Sequence, residues 1–288
     1  NMAEELKKSL GLKENNSRMD LSAHPFTTSI GINDTRITYR FKGNQIGSFL
    51  SVAHETGHAF YELNFPKKYE YTVVYDTPSL GLHESQSRFW ENMICRNNLF
   101  WRYFYPKYKQ EFKQLKNVSM DEWYSAINQV KPGLIRTESD EVTYCLHVIL
   151  RFELELGLID GSIKVEDLPK IWNKMMKEYL GVDVKKDSDG VLQDVHWSQG
   201  SIGYFATYAM GSIYAVQLYE KMIREHPEYK GDIEKGKFDN ILNWLNKNVH
   251  RYGREKTTEE IIKNICGEGL NPNAYIKYLR RKYLDIYK

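Results

Sequence analysis

The chain has 288 residues, of which 41% are hydrophobic and 27% charged, a composition typical of a globular protein with a substantial core. Forty basic residues stand against thirty-eight acidic ones, which leaves a formal net charge of +2. This balance gives no reason to expect a nucleic-acid or membrane partner through bulk charge, and no apolar stretch approaches the roughly eighteen residues that span a bilayer.

Most of the chain shows the spacing of apolar side chains that is typical of helices. In chain order, we predict helices over residues 44–64, 83–115 with an interruption or bend near Pro106, 120–130, 140–157, 166–180, 200–226, 236–248, 257–265 and 272–286. Strand signals are few: residues 34–41 and 69–76 are rich in β-branched and aromatic side chains. The sequence therefore predicts a mostly α fold with a small β-ribbon, in a single catalytic domain over residues 1–288.

The cysteines indicate the compartment. Cys95, Cys145 and Cys266 are far apart and form no CxxC pair, so neither a disulfide framework nor a thiolate zinc site is expected. The N-terminal segment is polar and lacks the apolar core of a signal peptide. We therefore expect a cytoplasmic protein.

Residues 54–58 read HETGH, an instance of the H-E-x-x-H motif. On a helix, positions i and i+4 lie on one face, so His54 and His58 can reach a single ion. Glu55, beside the first histidine, can then take a proton from a water molecule that the ion activates. The motif predicts one divalent metal ion, Zn²⁺ with Co²⁺ as the alternative, with His54 and His58 as ligands and Glu55 as the catalytic base.

A catalytic zinc usually has a third protein ligand. The candidates downstream are Glu62, His83, Glu84 and Glu91. Glu62 lies on the helix of the motif, too far along to close the site well. Glu84 opens the next long helix and gives a His-His-Glu set. We favour Glu84, although the spacing does not separate it from His83.

An ordered series of motifs runs from residue 24 to residue 197. They are HPFT (24–27), D-x-R-x-T (34–38), HETGH (54–58), HESQ (83–86), I-R-x-E-x-D (135–140) and G-x-x-Q-D-x-H-W (190–197). In this order they resemble the carboxypeptidase Taq family of metallocarboxypeptidases, and the likeness covers nearly the whole chain. The resemblance implies a helical, cleft-bearing fold, Glu84 as the third metal ligand, and removal of single residues from peptide C-termini.

The resemblance also bears on the extent of the protein. Family members normally carry a further helical region before HPFT, and in this sequence HPFT begins at His24. We therefore expect the chain to be the C-terminal catalytic part of a longer architecture. The family resemblance also favours a homodimer.

An exopeptidase must recognise a free C-terminal carboxylate, which arginine binds best through two parallel contacts. Arg136, in the I-R-x-E-x-D match, is the first candidate for this role, and Arg36 is the second. An ordinary ion pair is the alternative for either arginine, and Asp34 is the neighbour that would hold Arg36.

His196 is followed after eight residues by Tyr204 and after twelve by Tyr208. Zinc oligopeptidases of the thimet type have a similar histidine followed by paired tyrosines. This resemblance implies that His196 and Tyr208 bind the transition state or the substrate, with Tyr204 as the runner-up. The alternative is a tyrosine-rich helix that simply packs its rings.

Taken together, these features predict a metallocarboxypeptidase that hydrolyses the C-terminal bond of peptides, with a metal-activated water as nucleophile and Glu55 as general base. Its expected partners are peptides with a free C-terminus, with no nucleic acid and no membrane. Two alternatives stay open: an endo-acting zinc oligopeptidase, and an inactive metal-binding fragment.

Overall fold

The computed structural model describes residues 2–41 and 45–288, and helices account for most of them. The α-helices are α1 (Met2–Leu10), α2 (Gln45–Leu63), α3 (Leu80–Arg88), α4 (Asn98–Glu111), α5 (Met120–Ile127), α6 (Tyr144–Asp160), α7 (Leu168–Leu180), α8 (Ala206–Glu225), α9 (Tyr229–Glu234), α10 (Asp239–Asn248), α11 (Thr258–Cys266) and α12 (Pro272–Ile286). A π-helical segment, Phe89–Cys95, directly follows α3. Across the described residues, no helix combines the length and the apolar character needed to cross a membrane.

Three short strands form one sheet in the order β1-β3-β2: β1 (Ser17–Leu21), β2 (Thr27–Gly31) and β3 (Asp34–Tyr39). The central strand β3 pairs parallel with β1 and antiparallel with β2. Its alternate residues Thr35 and Ile37 are buried, and α2 packs against this strand. Since α2 carries the HETGH motif, the sheet lies directly beside that motif.

The chain divides into two compact units, Asn1–Ile127 with Gly211–Lys288, and Asn128–Met210. An aromatic cluster forms part of the core of the first unit. Phe49 of α2 packs within 6.4 Å, between ring centroids, of four rings of α4, which are Phe100, Trp101, Phe104 and Tyr108. Burial of such large rings is among the strongest contributions to core stability, so these contacts fix α2 in the first unit.

In the second unit α6 packs against α7. Leu150 and Leu154 of α6 share one apolar cluster with Trp172 and Met176 of α7. Helix α7 is ended by Gly181, the residue after Leu180. Gly181 has a φ of 70°, in the left-handed region that residues with a side chain disfavour. That helix stop agrees with the end of the helix predicted over 166–180.

The mostly α prediction is confirmed, and the strand predicted over 34–41 corresponds to β3. The strand predicted over 69–76 is wrong. Successive turns occupy this segment, because the amides of Glu70, Thr72 and Tyr75 donate to carbonyls three residues earlier. Tyr71 has a φ of 62° and is 94% exposed, so its aromatic ring does not mark a buried strand.

Several helix boundaries also differ from the prediction; for example, α3 begins at Leu80 rather than at residue 83, and α6 spans Tyr144–Asp160 rather than 140–157. The helical run over 83–115 is interrupted at Arg96 and Asn97, where Asn97 caps α4, and Pro106 lies inside α4. The helix predicted over 44–64 is α2, and its first predicted residue, Asn44, lies outside the described residues.

Candidate metal centre

Three side chains of the first unit converge in the structure. His54 and His58 lie one turn apart on α2 with ring centroids 4.9 Å apart, and Glu84 lies on α3. The Oε2 atom of Glu84 is 3.5 Å from Nε2 of each histidine. One ligand atom from each of the three residues lies within 4.8 Å of the others. These are the three residues that the sequence predicts as ligands.

This donor set fits a divalent ion. Two imidazole nitrogens and one carboxylate oxygen form a common catalytic zinc set, which leaves a further coordination position for water or substrate. The structure supplies these atoms on two packed helices, so their approach does not depend on a loop. His54, His58 and Glu84 would hold the ion.

Two glycines allow the helices of the centre to approach closely. A Cβ on Gly57, inside HETGH, would lie 2.5 Å from the carbonyl oxygen of Gln86 on α3. A Cβ on Gly211 of α8 would lie 2.5 Å from Cγ of Glu84. At both positions only a hydrogen fits, so these glycines set the depth at which Glu84 lies. The start of α3 is fixed by Ser79, whose side chain accepts from the amide of Leu82.

A buried charge network surrounds the ligands. Arg88 donates from Nε to Oε1 of Glu84 at 2.8 Å and from Nη1 to Oε2 of Glu91 at 3.2 Å. Burial works to raise the pKa of Glu84, but the charges of Arg88 and His54 outweigh it and hold that pKa well below its ordinary value. At Glu91 burial also works to raise the pKa, but the charge of Arg88 outweighs it, and this pKa is lowered to about 2. Both carboxylates are therefore ionised.

The two histidines differ in environment. His54 Nδ1 lies 2.9 Å from Oε2 of Glu91, and although burial works to lower the pKa of His54, the charges of Glu84 and Glu91 raise it. Burial lowers the pKa of His58 to about 3, with the charge of His83 as the next cause. His58 is therefore neutral at physiological pH, the form in which imidazole binds metal.

Glu55 is buried beside the two histidines. Its Oε2 accepts a hydrogen bond of 2.6 Å from Oγ1 of Thr27, the first residue of β2. Burial raises the pKa of Glu55, against the effects of the His54 charge and the Thr27 hydrogen bond. A carboxylate with a raised pKa is a stronger base, which is the property that proton abstraction needs.

His83, the alternative third ligand, does not belong to the converging group. Its Nε2 lies 3.0 Å from Oε1 of Glu62, and its ring stacks on that of His58 at 4.3 Å between centroids. Glu62 also accepts a hydrogen bond from Ser29 of β2. His83 and Glu62 thus form a pair beside the ligands.

A pocket of about 440 Å³ lies next to this pair in the first unit. The residues of β2, from Thr27 to Gly31, form one side of the pocket, and Glu62, Phe65, Glu70, Tyr71, Tyr75 and Asp76 form much of the rest. Within the described residues β2 pairs only with β3, so its other edge is open. Thr27, which lines this pocket, is also the residue that donates a hydrogen bond to Glu55.

Arg36, a predicted substrate-binding residue, lies on β3 in the first unit. Its Nε and Nη2 donate to the two carboxylate oxygens of Asp34, each at 3.0 Å, and 42% of its side chain is exposed. The ion pair that the sequence offered as the alternative is therefore present.

Arg136 lies in the second unit and is buried. Its Nε and Nη2 both donate to Oδ1 of Asp194, at 3.1 and 2.7 Å, and its Nη1 lies 3.4 Å from the hydroxyl of Tyr144. Arg151 donates to Oδ2 of the same aspartate at 2.5 Å. The backbone amide of Arg136 donates to the side chain of Gln193. Two consecutive side chains of the G-x-x-Q-D-x-H-W segment, Gln193 and Asp194, therefore bind Arg136 of the I-R-x-E-x-D segment.

His196, Tyr204 and Tyr208 lie together in the second unit. His196 Nε2 is 2.9 Å from the hydroxyl of Tyr208, and the ring centroids of His196 and Tyr204 are 5.3 Å apart. The guanidinium carbon of Arg136 lies 4.7 Å from the centroid of the Tyr208 ring. The structure thus joins three predicted site residues, Arg136, His196 and Tyr208, through direct contacts.

Three residues of the centre, Arg88, Gly57 and Gly211, are not among those predicted from the sequence. Arg88 lies four residues after Glu84 and three before Glu91, the spacing at which helical side chains meet, and this signal was available in the sequence. Gly57 stands inside the motif, where a glycine between two ligand histidines indicates a close helix contact. No sequence signal pairs Gly211 with Glu84, because the contact joins distant parts of the chain.

The chain is similar to known proteins over nearly its whole length. Residues 1–283 match the family model of carboxypeptidase Taq (M32) metallopeptidases. Carboxypeptidase 1 of Bacillus subtilis is 42% identical over 280 residues, which are 96% of this chain and 56% of that protein. Thermostable carboxypeptidase 1 of Pyrococcus furiosus is 42% identical over 269 residues, 93% of this chain and 54% of that protein. The crystal structure of an M32 carboxypeptidase from Deinococcus radiodurans has a TM-score of 0.96 at 39% identity and covers 99% of this chain and 58% of its own. The chain spans about half the length of the curated relatives that it matches.

Proposed function

The chain belongs to the carboxypeptidase Taq (M32) family of metallopeptidases, and from that premise we propose that it is a metal-dependent carboxypeptidase that removes single residues from the C-termini of peptides. The observation that carries this proposal is the convergence of His54, His58 and Glu84 beside the buried carboxylate of Glu55. This arrangement contains three groups that could hold the ion and a carboxylate beside them that could take the proton of an activated water.

His54, His58 and Glu84 would hold Zn²⁺, with Co²⁺ as the alternative, and such an ion would lower the pKa of water from 15.7 to about 7 and so supply a nucleophile at neutral pH. The carboxylate of Glu55 takes the proton of the attacking water and gives it to the nitrogen of the leaving amino acid. Thr27 holds this carboxylate in place through its hydroxyl. Glu91 holds the ring of His54 from the nitrogen opposite to the ligand atom.

Substrate binding is assigned in two parts. The open edge of β2 offers backbone groups to an extended peptide, as exposed sheet edges do in other peptide-binding proteins. For the second unit we propose that Arg136 binds the terminal carboxylate and that His196 and Tyr208 donate to the scissile carbonyl, with Tyr204 beside them. The contacts among Arg136, His196 and Tyr208 support this assignment. Arg36 is the second candidate for the carboxylate. Each arginine would bind it in competition with its ion-pair partner, which is Asp194 for Arg136 and Asp34 for Arg36.

We also propose a cytoplasmic location and a homodimer. The location is supported by the three cysteines, all described, which form no disulfide. The homodimer rests on the family resemblance alone, and sedimentation of the purified chain tests it.

The test is elemental analysis of the purified chain and of Glu84→Gln, paired with a carboxypeptidase assay. We expect near-stoichiometric zinc in the wild-type chain, less in the variant, and release of C-terminal residues by the wild-type chain only. The same peptide with an amidated C-terminus should resist cleavage. Cleavage of the amidated peptide would indicate an endopeptidase instead, and metal without turnover would indicate an inactive metal-binding chain.

A further inference from the structure

Arg88 contacts two of the carboxylates around the candidate metal centre. Its Nε donates to Oε1 of Glu84 at 2.8 Å, and its Nη1 donates to Oε2 of Glu91 at 3.2 Å. The other oxygen of Glu84, Oε2, lies 3.5 Å from Nε2 of both His54 and His58. The two oxygens of Glu84 therefore have different partners: Arg88 holds Oε1, whereas Oε2 faces the nitrogens of the two histidines and also accepts a hydrogen bond of 3.1 Å from Oγ of Ser87.

The second contact of Arg88 leads to the first histidine. Glu91 Oε2, which accepts from Arg88, also lies 2.9 Å from Nδ1 of His54. A carboxylate at the distal ring nitrogen fixes the orientation of a metal-binding histidine. Arg88 thus touches both the third ligand and the group that orients the first.

These charged side chains are largely buried. Exposure of the side chains is 13% for Arg88, 8% for Glu84 and 12% for Glu91. Two carboxylates held this close in a poorly hydrated site repel each other unless a cation lies between them. Arg88, the last residue of α3, provides this cation, because residues 84, 88 and 91 lie on one helix face.

We propose that Arg88 is a positioning residue that holds Glu84 as a one-oxygen ligand of the metal and, through Glu91, fixes the ring of His54. The inference rests on the proposed function, since it concerns metal binding at this centre. With Oε1 engaged by Arg88, Glu84 occupies one coordination position, and a further position stays open for water or substrate. The planar guanidinium can donate to two carboxylates in fixed directions, which the single ammonium of lysine cannot.

The experiment measures metal binding rather than turnover, on Arg88→Gln and Arg88→Lys. The zinc Kd is obtained by competition with a chromophoric chelator, and the geometry from the visible absorption of the cobalt-loaded protein. We expect the glutamine variant to bind zinc about 10- to 100-fold more weakly, the usual effect of losing a group that orients a ligand. Its cobalt absorption should weaken as Glu84 coordinates through two oxygens and the coordination number rises. The lysine variant, which keeps the charge alone, should lose part of the affinity.

Arg102→Gln is the matched control, because it removes an arginine that pairs with Glu234 on the surface of the same unit. This variant should keep the wild-type zinc Kd and cobalt spectrum. Unchanged zinc affinity in a folded Arg88→Gln variant would overturn the inference, as would weaker affinity with an unchanged cobalt spectrum. Should the glutamine variant not fold, wild-type values in Arg88→Lys would overturn it equally. A wild-type chain that binds neither ion would instead refute the proposed function, and the positioning role with it.

Discussion

At the scale of single residues, a change at Glu55 tests the proposed proton transfer separately from metal binding. It is buried, and its carboxylate is held by Thr27 rather than by Arg88. We expect Glu55→Gln to lower the rate of peptide hydrolysis by about 100- to 10,000-fold, because the amide keeps the shape but cannot accept the proton of water. The zinc content should stay at the wild-type value, as measured by elemental analysis.

Glu111→Gln is the matched control, since it changes an exposed glutamate at the end of α4. Its activity and zinc content should both equal those of the wild-type chain. Retention of full activity by Glu55→Gln would show that another group serves as the base.

His147 provides a pH-dependent contribution to stability. Burial, followed by the charges of Arg151 and Arg136, lowers the pKa of this histidine to about 4. The unfolded chain titrates near 6.5, so between pH 6.5 and 4 the unfolded state binds a proton that the folded state does not. The contribution of His147 is thus complete above pH 6.5 and falls with pH, by up to about 1.4 kcal/mol per unit.

Urea unfolding of the wild-type chain and of His147→Gln at pH 7.5 and pH 5 measures this contribution. We expect the free energy of unfolding to fall less steeply in the variant on going from pH 7.5 to pH 5, because one proton-binding group of the unfolded state has been removed. Equal slopes would mean that His147 titrates alike in both states.

At the scale of elements, the approach of α2 to α3 depends on Gly57. A Cβ at this position would lie 2.5 Å from the carbonyl oxygen of Gln86 and 2.7 Å from Cα of Ser87, both of them backbone atoms that cannot rotate away. We expect Gly57→Ala to lower the free energy of unfolding by about 1–3 kcal/mol, the usual cost of overpacking. It should also weaken zinc binding, because it moves His54 and His58 away from Glu84.

The control for this variant is Gly231→Ala in α9, where an added Cβ meets no atom within 4 Å. Alanine in a helix is favoured over glycine by up to about 1 kcal/mol, so this change should stabilise the chain and leave zinc affinity unaltered. Urea unfolding and chelator competition measure both variants. Wild-type zinc affinity in Gly57→Ala would refute the link between helix approach and ligand geometry.

The elements that the sequence predicts well are those with a strong periodic signal. Helix α2 is one of them, because its apolar residues recur at helical spacing around HETGH. Strand β2 gave no such signal, since most of its residues are exposed and small or polar. The segment over 69–76 gave a false strand signal, because its β-branched side chains do not mark a buried strand; Val73 is 82% exposed.

The site shows a similar division. His54 and His58 follow from a local motif, and Arg88 from a helical spacing in the sequence, whereas the spacing left Glu84 and His83 as alternatives that the family resemblance separated. The approach of Gly211 to Glu84 depends on tertiary packing, and no local pattern contains it. The assignment of Arg136 to substrate binding stays a prediction, and its ion pair with Asp194 appears only in the structure.

At the scale of the whole molecule, metal binding should stabilise the fold. The candidate ligands come from two helices, α2 and α3, that approach each other only in the folded chain, so an ion held by them should bind the folded state far more tightly than the unfolded one. At a free zinc concentration 100 times the Kd, the expected gain is about 2.7 kcal/mol. Removal of metal with EDTA should therefore lower the Tm in scanning calorimetry, and added zinc should restore it.

Glu84→Gln serves as the comparison for this effect. Because the variant lacks the third ligand, EDTA should change its Tm less than that of the wild-type chain. Hydrogen exchange can localise the response, which we expect in α2 and α3. An EDTA effect of equal size in both proteins would indicate that the ion acts at a different place.

The first unit is built from two stretches of chain, with the whole second unit encoded between them. During translation, His54, His58 and Glu84 therefore leave the ribosome long before Gly211, the residue that closes over Glu84. A nascent chain at this stage already holds all three ligands, while the helix that will bury the carboxylate has not been made. Whatever α8 contributes to metal binding is therefore added only after the three candidate ligands have been synthesised.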